Sequence, residues 1–102
     1  MNAVQEQVKE LVKVELAAAN EKFPPFHSMH EGWAVIMEEL DELRDDVFCC
    51  KTVLKKIAWE KIKDNEYPQD DIEYVMKNAV DAACEAIQVA AMCRKFMEME
   101  NG

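Results

Sequence analysis

Two short acidic sets are spaced so that each falls on one side of a helix, and the chemistry such sets do best is holding a divalent cation. In "AVDAACEAIQVAAMC", residues 79–93, the only polar side chains are Asp81, Glu85 and Gln88. At the helical period these three share a narrow sector of the wheel, with Asn78 beside them on the preceding turn. Desolvating an unpaired charge is expensive, so a strip of this kind on an otherwise apolar helix must be paired, hydrated or bound to a cation. The second set lies in "MEELDELRDD", residues 37–46. With Ile36 at zero, the apolar stripe runs from about 340° to about 40°, and Glu39, Asp46 and Glu42 fall on its shoulder at about 300°, 280° and 240°. Glu38 lies further round, at about 200°, and Asp41 and Asp45 point to water. An acidic run alone is most often a solvated face, and a single buried acid often pairs with a lysine or caps a loop. Two antiparallel helices presenting carboxylates to one cleft are a different matter. They make an all-oxygen site suited to Mg²⁺, which keeps waters and substrate phosphates as its other ligands.

The elements that must position these residues are all helical. Val4, Val8, Leu11, Val12 and Leu16 repeat at helical spacing and predict a first amphipathic helix over residues 2–20. "FPPFHS" breaks it, and Ser28 with Glu31 forms a capping box that opens a second helix. "DNEYPQD" ends that region, and Asp70 or Asp71 is expected to cap a last helix reaching Met99. On a straight second helix Glu42 would lie about 22 residues before the turn and Glu85 about 15 after it, a mismatch of roughly 10 Å. A shared metal within one chain therefore requires an interruption. The expected place is Cys49 to Thr52, followed by a third helix over 53–64 that buries Leu54, Ile57 and Trp59.

With 102 residues, 50% of them hydrophobic, and only two glycines and three prolines, the chain reads as a single all-α domain over residues 1–102. A chain this short cannot surround a helix that is apolar on every face, so an oligomer is expected. The net charge of -9 argues against nucleic acid and anionic membranes as partners, but it suits a phosphorylated ligand that arrives with divalent cations. No apolar run approaches the length of a membrane span. Cys49, Cys50, Cys84 and Cys93 lack metal-site spacing and have no signal peptide ahead of them. They read as reduced thiols of a cytoplasmic protein, Cys84 and Cys93 in its core.

"HEGWAVIMEELDELRDDV" followed by "CEAIQVAAMCRKF" resembles the MazG-like all-α nucleoside triphosphate pyrophosphohydrolases, particularly their short phage-associated members. The family pattern is EExxE on one helix and ExxD on a later one. Glu38, Glu39 and Glu42 match the first motif and Glu85 the Glu of the second, while Gln88 stands where the family has Asp. The resemblance implies a helical bundle assembled as a homodimer or homotetramer. It also implies Mg²⁺-dependent (or Mn²⁺-dependent) cleavage of a nucleoside triphosphate between its α- and β-phosphates, giving a monophosphate and pyrophosphate. Carried over, Glu39, Glu42 and Glu85 are metal ligands, with Gln88 in the fourth place. Glu38 supports a second ion or the attacking water, and Asp81 or Asp46 supplies the charge that Gln88 lacks. Trp33 could stack on a base and His30 contact base or ribose, while Lys55, with Lys51 and Lys56, could attract phosphates. The alternative is a non-catalytic bundle of the same fold, a nucleotide sensor or protein adaptor.

Overall fold

A computed structural model describes the backbone of residues 2–101 and the side chains of residues 4–99. Over these residues the chain is helical apart from two connections. Helix α1 spans Asn2–Lys22 and α2 spans Met29–Thr52; a π-helical segment, Val53–Ala58, leads into α3, Trp59–Lys63; and α4 spans Gln69–Asn101. At about 1.5 Å per residue α4 is about 50 Å long, and it forms the spine of a body measuring 59 × 30 × 22 Å. Both α2 and α1 pack along it, yet no α-carbon of α1 comes within 8 Å of one in α2. Among the described residues no helix is long and apolar enough to cross a membrane.

The first connection is built as its residue types require. Ser28, in extended conformation, accepts a hydrogen bond from the Glu31 amide at 3.1 Å. The returning Glu31 carboxylate goes one residue further back than an ideal capping box, accepting from the His27 amide at 3.3 Å and meeting His27 Nδ1 at 3.0 Å. Gly32 then lets α2 close on α4. A Cβ there would stand 2.5 Å from Phe96 Cδ2 and 3.0 Å from Phe26 Cδ2.

The second connection is a Schellman turn. Asn65 sits in the left-handed region at φ 61°, the Glu66 amide donates to Lys61 O at 2.8 Å, and the Asn65 amide to Ile62 O at 2.9 Å. Pro68 follows, and its carbonyl accepts from the Ile72 amide at 3.0 Å. Asp70 and Asp71 therefore lie inside the first turn of α4 rather than capping it, where they favour the helix dipole. Asp71 also pairs with Lys61 at 2.8 Å across the turn.

No break occurs at Cys49 to Thr52. Thr52 and Val53 both keep helical dihedrals near -63° and -46°, because a β-branched residue costs a helix only about 0.7 kcal/mol or less. The interruption takes another form, a change to π-type bonding in which the Trp59 amide reaches Leu54 O, five residues back. Cys50 Sγ donates to Val75 O at 3.5 Å, while Lys61 meets Asp71. Between those two crossings the first strand of the hairpin covers 11 residues and α4 only four. The arm beyond Thr52 must therefore run obliquely to α4, and no α-carbon of α3 comes within 8 Å of it.

The core is thin. Leu16, Ala58 and Ala91 are the buried hydrophobics among the described residues. Of the α1 stripe, Leu16 is covered and Val12 half-covered, while Val4, Val8 and Leu11 stand free of the spine. Leu54, Ile57 and Trp59, expected inside, are exposed because the oblique arm has only one neighbour; Ala58 is the residue it buries. Cys84 is exposed, and Cys93, on the opposite side of α4, is half-buried beside Ile36 and Leu40 of α2. The chain exposes 7836 Å², against about 5,900 Å² for a compact monomer of its mass.

Candidate metal centre and its adjoining cavity

The polar strip of α4 is met by the acidic shoulder of α2. Glu39, Glu42 and Glu85 each offer a carboxylate oxygen, and these three atoms lie within 4.8 Å of one another. Gln88 completes the group. Acceptors lie on one side of its amide and donors on the other, which assigns the nitrogen to the carboxylate side, where it donates to Glu39 Oε2 at 2.7 Å and Glu85 Oε2 at 3.2 Å. The antiparallel run of α2 along α4 brings these residues level within one chain, although α2, the π segment and α3 form an unbroken helical path.

The electrostatics are those of crowded like charges. Contact with the Glu85 carboxylate holds the Glu42 carboxyl above its usual range, and Glu38 and Asp46 push it the same way. Burial raises Glu85 first, and its contact with Glu39 adds to this. Each shift records a carboxylate that a proton, or a cation in its place, would relieve. Glu42 is exposed and Glu39 and Glu85 half-buried, so the cluster opens to water on the Glu42 side.

On its other side the cluster borders a cavity of about 450 Å³ held between α1, α2, α4 and the first connection. Glu39 and Gln88 form one wall of this cavity, Phe23, Phe26, Val35 and Met92 give it an apolar lining, and Lys95 closes the far end. The gap exists because α1 and α2 both lean on α4 but not on each other.

Of the other residues singled out from sequence, Glu38 is exposed and close enough to act on Glu42, and Asp46 acts on both Glu42 and Glu85. Asp81 is exposed and outside this group, so of the two acids weighed to make up for Gln88 it is Asp46 that stands beside the cluster. Asn78 is turned to its own helix, donating to Tyr74 O at 2.8 Å. Trp33 is 63% exposed and lines a separate apolar groove with Ile36, Met37, Leu40, Cys93, Phe96 and Met97. About 120° of α2's circumference separates it from Glu39. His30 is exposed in the first turn of α2, and Lys55 is exposed on the π segment; neither lines the cavity.

Sequence reasoning passed over Lys95, whose place near a helix end suggested only a dipole contact. It is 5% exposed, with its ammonium 5.0 Å from the centroid of the Phe26 ring. A signal was present in the order of residues, since Lys95 lies seven positions after Gln88, two turns along the same face. Compared with models of protein families, with curated proteins and with solved structures, the chain finds no match.

Proposed function

We propose that the chain is a divalent-cation-dependent nucleoside triphosphate pyrophosphohydrolase. The observation that supports this most is the convergence of Glu39, Glu42 and Glu85 within 4.8 Å of one another, beside a ligand-sized cavity that Glu39 and Gln88 line. The donor set fits a hard cation: three carboxylates, and an amide oxygen that Gln88 presents by turning over. Mg²⁺, or Mn²⁺ in its place, would neutralise the polyphosphate and make the α-phosphorus electrophilic.

The protein's own part is positioning and proton handling. Glu39, Glu42 and Glu85 would hold the cation beside the substrate's phosphates. Glu38, on the exposed rim beside Glu42, orients water and takes its proton as the water oxygen bonds to the α-phosphorus. The bond to the bridging oxygen breaks, and pyrophosphate leaves toward the open Glu42 side. The cavity beyond Glu39 and Gln88 receives the nucleoside.

The excess of exposed surface over a compact monomer, about 1,900 Å² per chain, is more than the roughly 800 Å² each partner buries in a standard interface, and it supports assembly with further copies of the chain as a homodimer or homotetramer. Four unpaired cysteines suit a reducing cytoplasm.

The test is a panel of canonical and modified nucleoside triphosphates assayed for pyrophosphate release with Mg²⁺ or Mn²⁺. Release from at least one member, abolished by chelation, is expected; no release from any sinks the assignment. One observation favours a second reading, a non-catalytic bundle: Gln88 satisfies Glu39 and Glu85 with no cation present. In that case neither pyrophosphate nor a melting shift with Mg²⁺ and nucleotide would be seen.

A further inference from the structure

Lys95 is held where its ammonium makes no direct ion pair, although the Glu31 carboxylate across the cavity feels its charge. Its side chain is 95% buried, it makes no hydrogen bond or ion pair among the described residues, and its one polar partner is the face of Phe26. Glu31, whose carboxylate feels the Lys95 charge, is hydrogen-bonded instead to the amide and ring of His27. Lys95, with three donor hydrogens, borders this cavity, lined mainly by apolar side chains, and a neighbouring one beside Asn20, Pro25 and Glu98. Water reaches this ammonium through the cavity, and a ligand bearing an acceptor can take that water's place and complete the site.

Charge decides what kind of acceptor. Glu15, Glu31 and Glu39 also line the cavity, so it carries more negative than positive charge, and a bare phosphate at Lys95 would meet two further carboxylates. A neutral heterocycle meets no such penalty. Its faces suit Phe23, Phe26 and Met92, a ring carbonyl suits Lys95, and the ring N–H beside such a carbonyl suits the unpaired Glu15 carboxylate. We infer that the cavity is a base pocket in which Lys95 selects an oxo group, so that 6-oxopurines and uracil-type bases bind in preference to their amino counterparts. Lys95 lies about 10 Å along α4 from Gln88, which leaves room for a sugar between a base at Lys95 and phosphates at the carboxylates. That the ligand is a nucleotide rests on the hydrolase reading; that it carries a carbonyl rests on Lys95.

The discriminating probes are nucleosides, which need neither metal nor carboxylate cluster. Inosine and adenosine differ at the 6-oxo and 6-amino edge, and uridine and cytidine at the 4-oxo and 4-amino edge. Titrated into the full chain without metal and followed at the Met92 methyl by NMR, inosine and uridine are expected to saturate at concentrations about tenfold or more below their amino partners. Lys95→Met, close in shape but without the donor, is expected to erase the difference, and Lys95→Arg to retain part of it. Equal binding within each pair, no shift of Met92 by any nucleoside, or a Met92 shift by inorganic phosphate instead would overturn the inference. The wild-type titrations decide the matter by themselves if Lys95→Met does not fold. Oxo selectivity without pyrophosphate release would leave this pocket standing and remove the hydrolase, and release without selectivity would do the reverse.

Discussion

Glu85 and Lys95 stand ten residues apart on α4, and each carries a charge that its surroundings leave uncompensated, but by opposite means. At Glu85 the cause is crowding: Glu39, Glu42 and Asp46 are turned toward it, and one edge stays open to water. At Lys95 the cause is isolation. Gly32 lets Phe96 and Phe26 close in, the Phe26 ring lies under the ammonium, and the available acid is committed elsewhere. The crowded region is relieved when a proton or a cation binds there, whereas the isolated region is fixed by packing whether or not anything binds. Substitutions at the two should therefore separate activity from stability in opposite directions.

The largest effect is expected in the crowded region. Glu39→Gln or Glu42→Gln should reduce metal-dependent pyrophosphate release by about a hundredfold or more while leaving the metal-free melting temperature unchanged or higher, since one repulsive charge is gone. A variant that keeps full Mg²⁺-dependent turnover would break the assignment. The packed region should behave conversely. Gly32→Ala forces its new methyl into Phe96 and Phe26, and chemical denaturation should show a loss of about 1–3 kcal/mol with the carboxylate cluster still able to bind Mn²⁺.

A smaller change sharpens the role of Gln88. Gln88→Asp replaces a donor between two carboxylates with a further negative charge, so Mn²⁺ affinity measured by paramagnetic resonance should rise about tenfold and the metal-free melting temperature should fall. Unchanged affinity would leave Asp46 as the acid that completes the set.

The smallest effect is in pH. Glu42 and Glu85 hold their protons more tightly folded than unfolded, so in metal-free protein the folded state gains on acidification. Stability falls as pH rises from the ordinary carboxylate range through their raised values. Glu31 opposes this: its contact with His27 lowers it, so its contribution is present above the ordinary range and is lost as pH falls through the lowered value. Melting curves of Glu31→Gln should show the first trend alone. Saturating Mg²⁺ should remove that trend, because the cation then replaces the proton.

The helical class, the two carboxylate sets and the breaks at "FPPFHS" and "DNEYPQD" were legible because they depend on residues near one another in sequence. Glu39, Glu42, Glu85 and Gln88 could be brought together on paper by wheel and register alone. Lys95 could not, since its meaning comes from Phe26, 69 positions away, and from His27 having claimed Glu31. Trp33 misled for a related reason: an aromatic near the acidic run is close in number yet faces another groove. The expected burial of Leu54, Ile57 and Trp59 failed because it presumed neighbours that one chain does not provide. The axial mismatch counted from the sequence is met just beyond Thr52, by a π segment that turns the arm oblique to α4 rather than by a break. A helix under that demand can change its hydrogen-bond pitch more easily than it can end.

That change of pitch has a mechanical consequence. In a regular α-helix, chain length and axial travel are locked together, so adding or removing a residue near the turn at Asn65 would drag every upstream side chain round by about 100°. The Val53–Ala58 segment, bonded to the fifth neighbour, is a stretch where the two are unlocked. It works as a coupling between two registers: the turn end of the hairpin, at Lys61 and Asp71, and the acidic end, at Glu42 and Glu85, each keep their own alignment with α4.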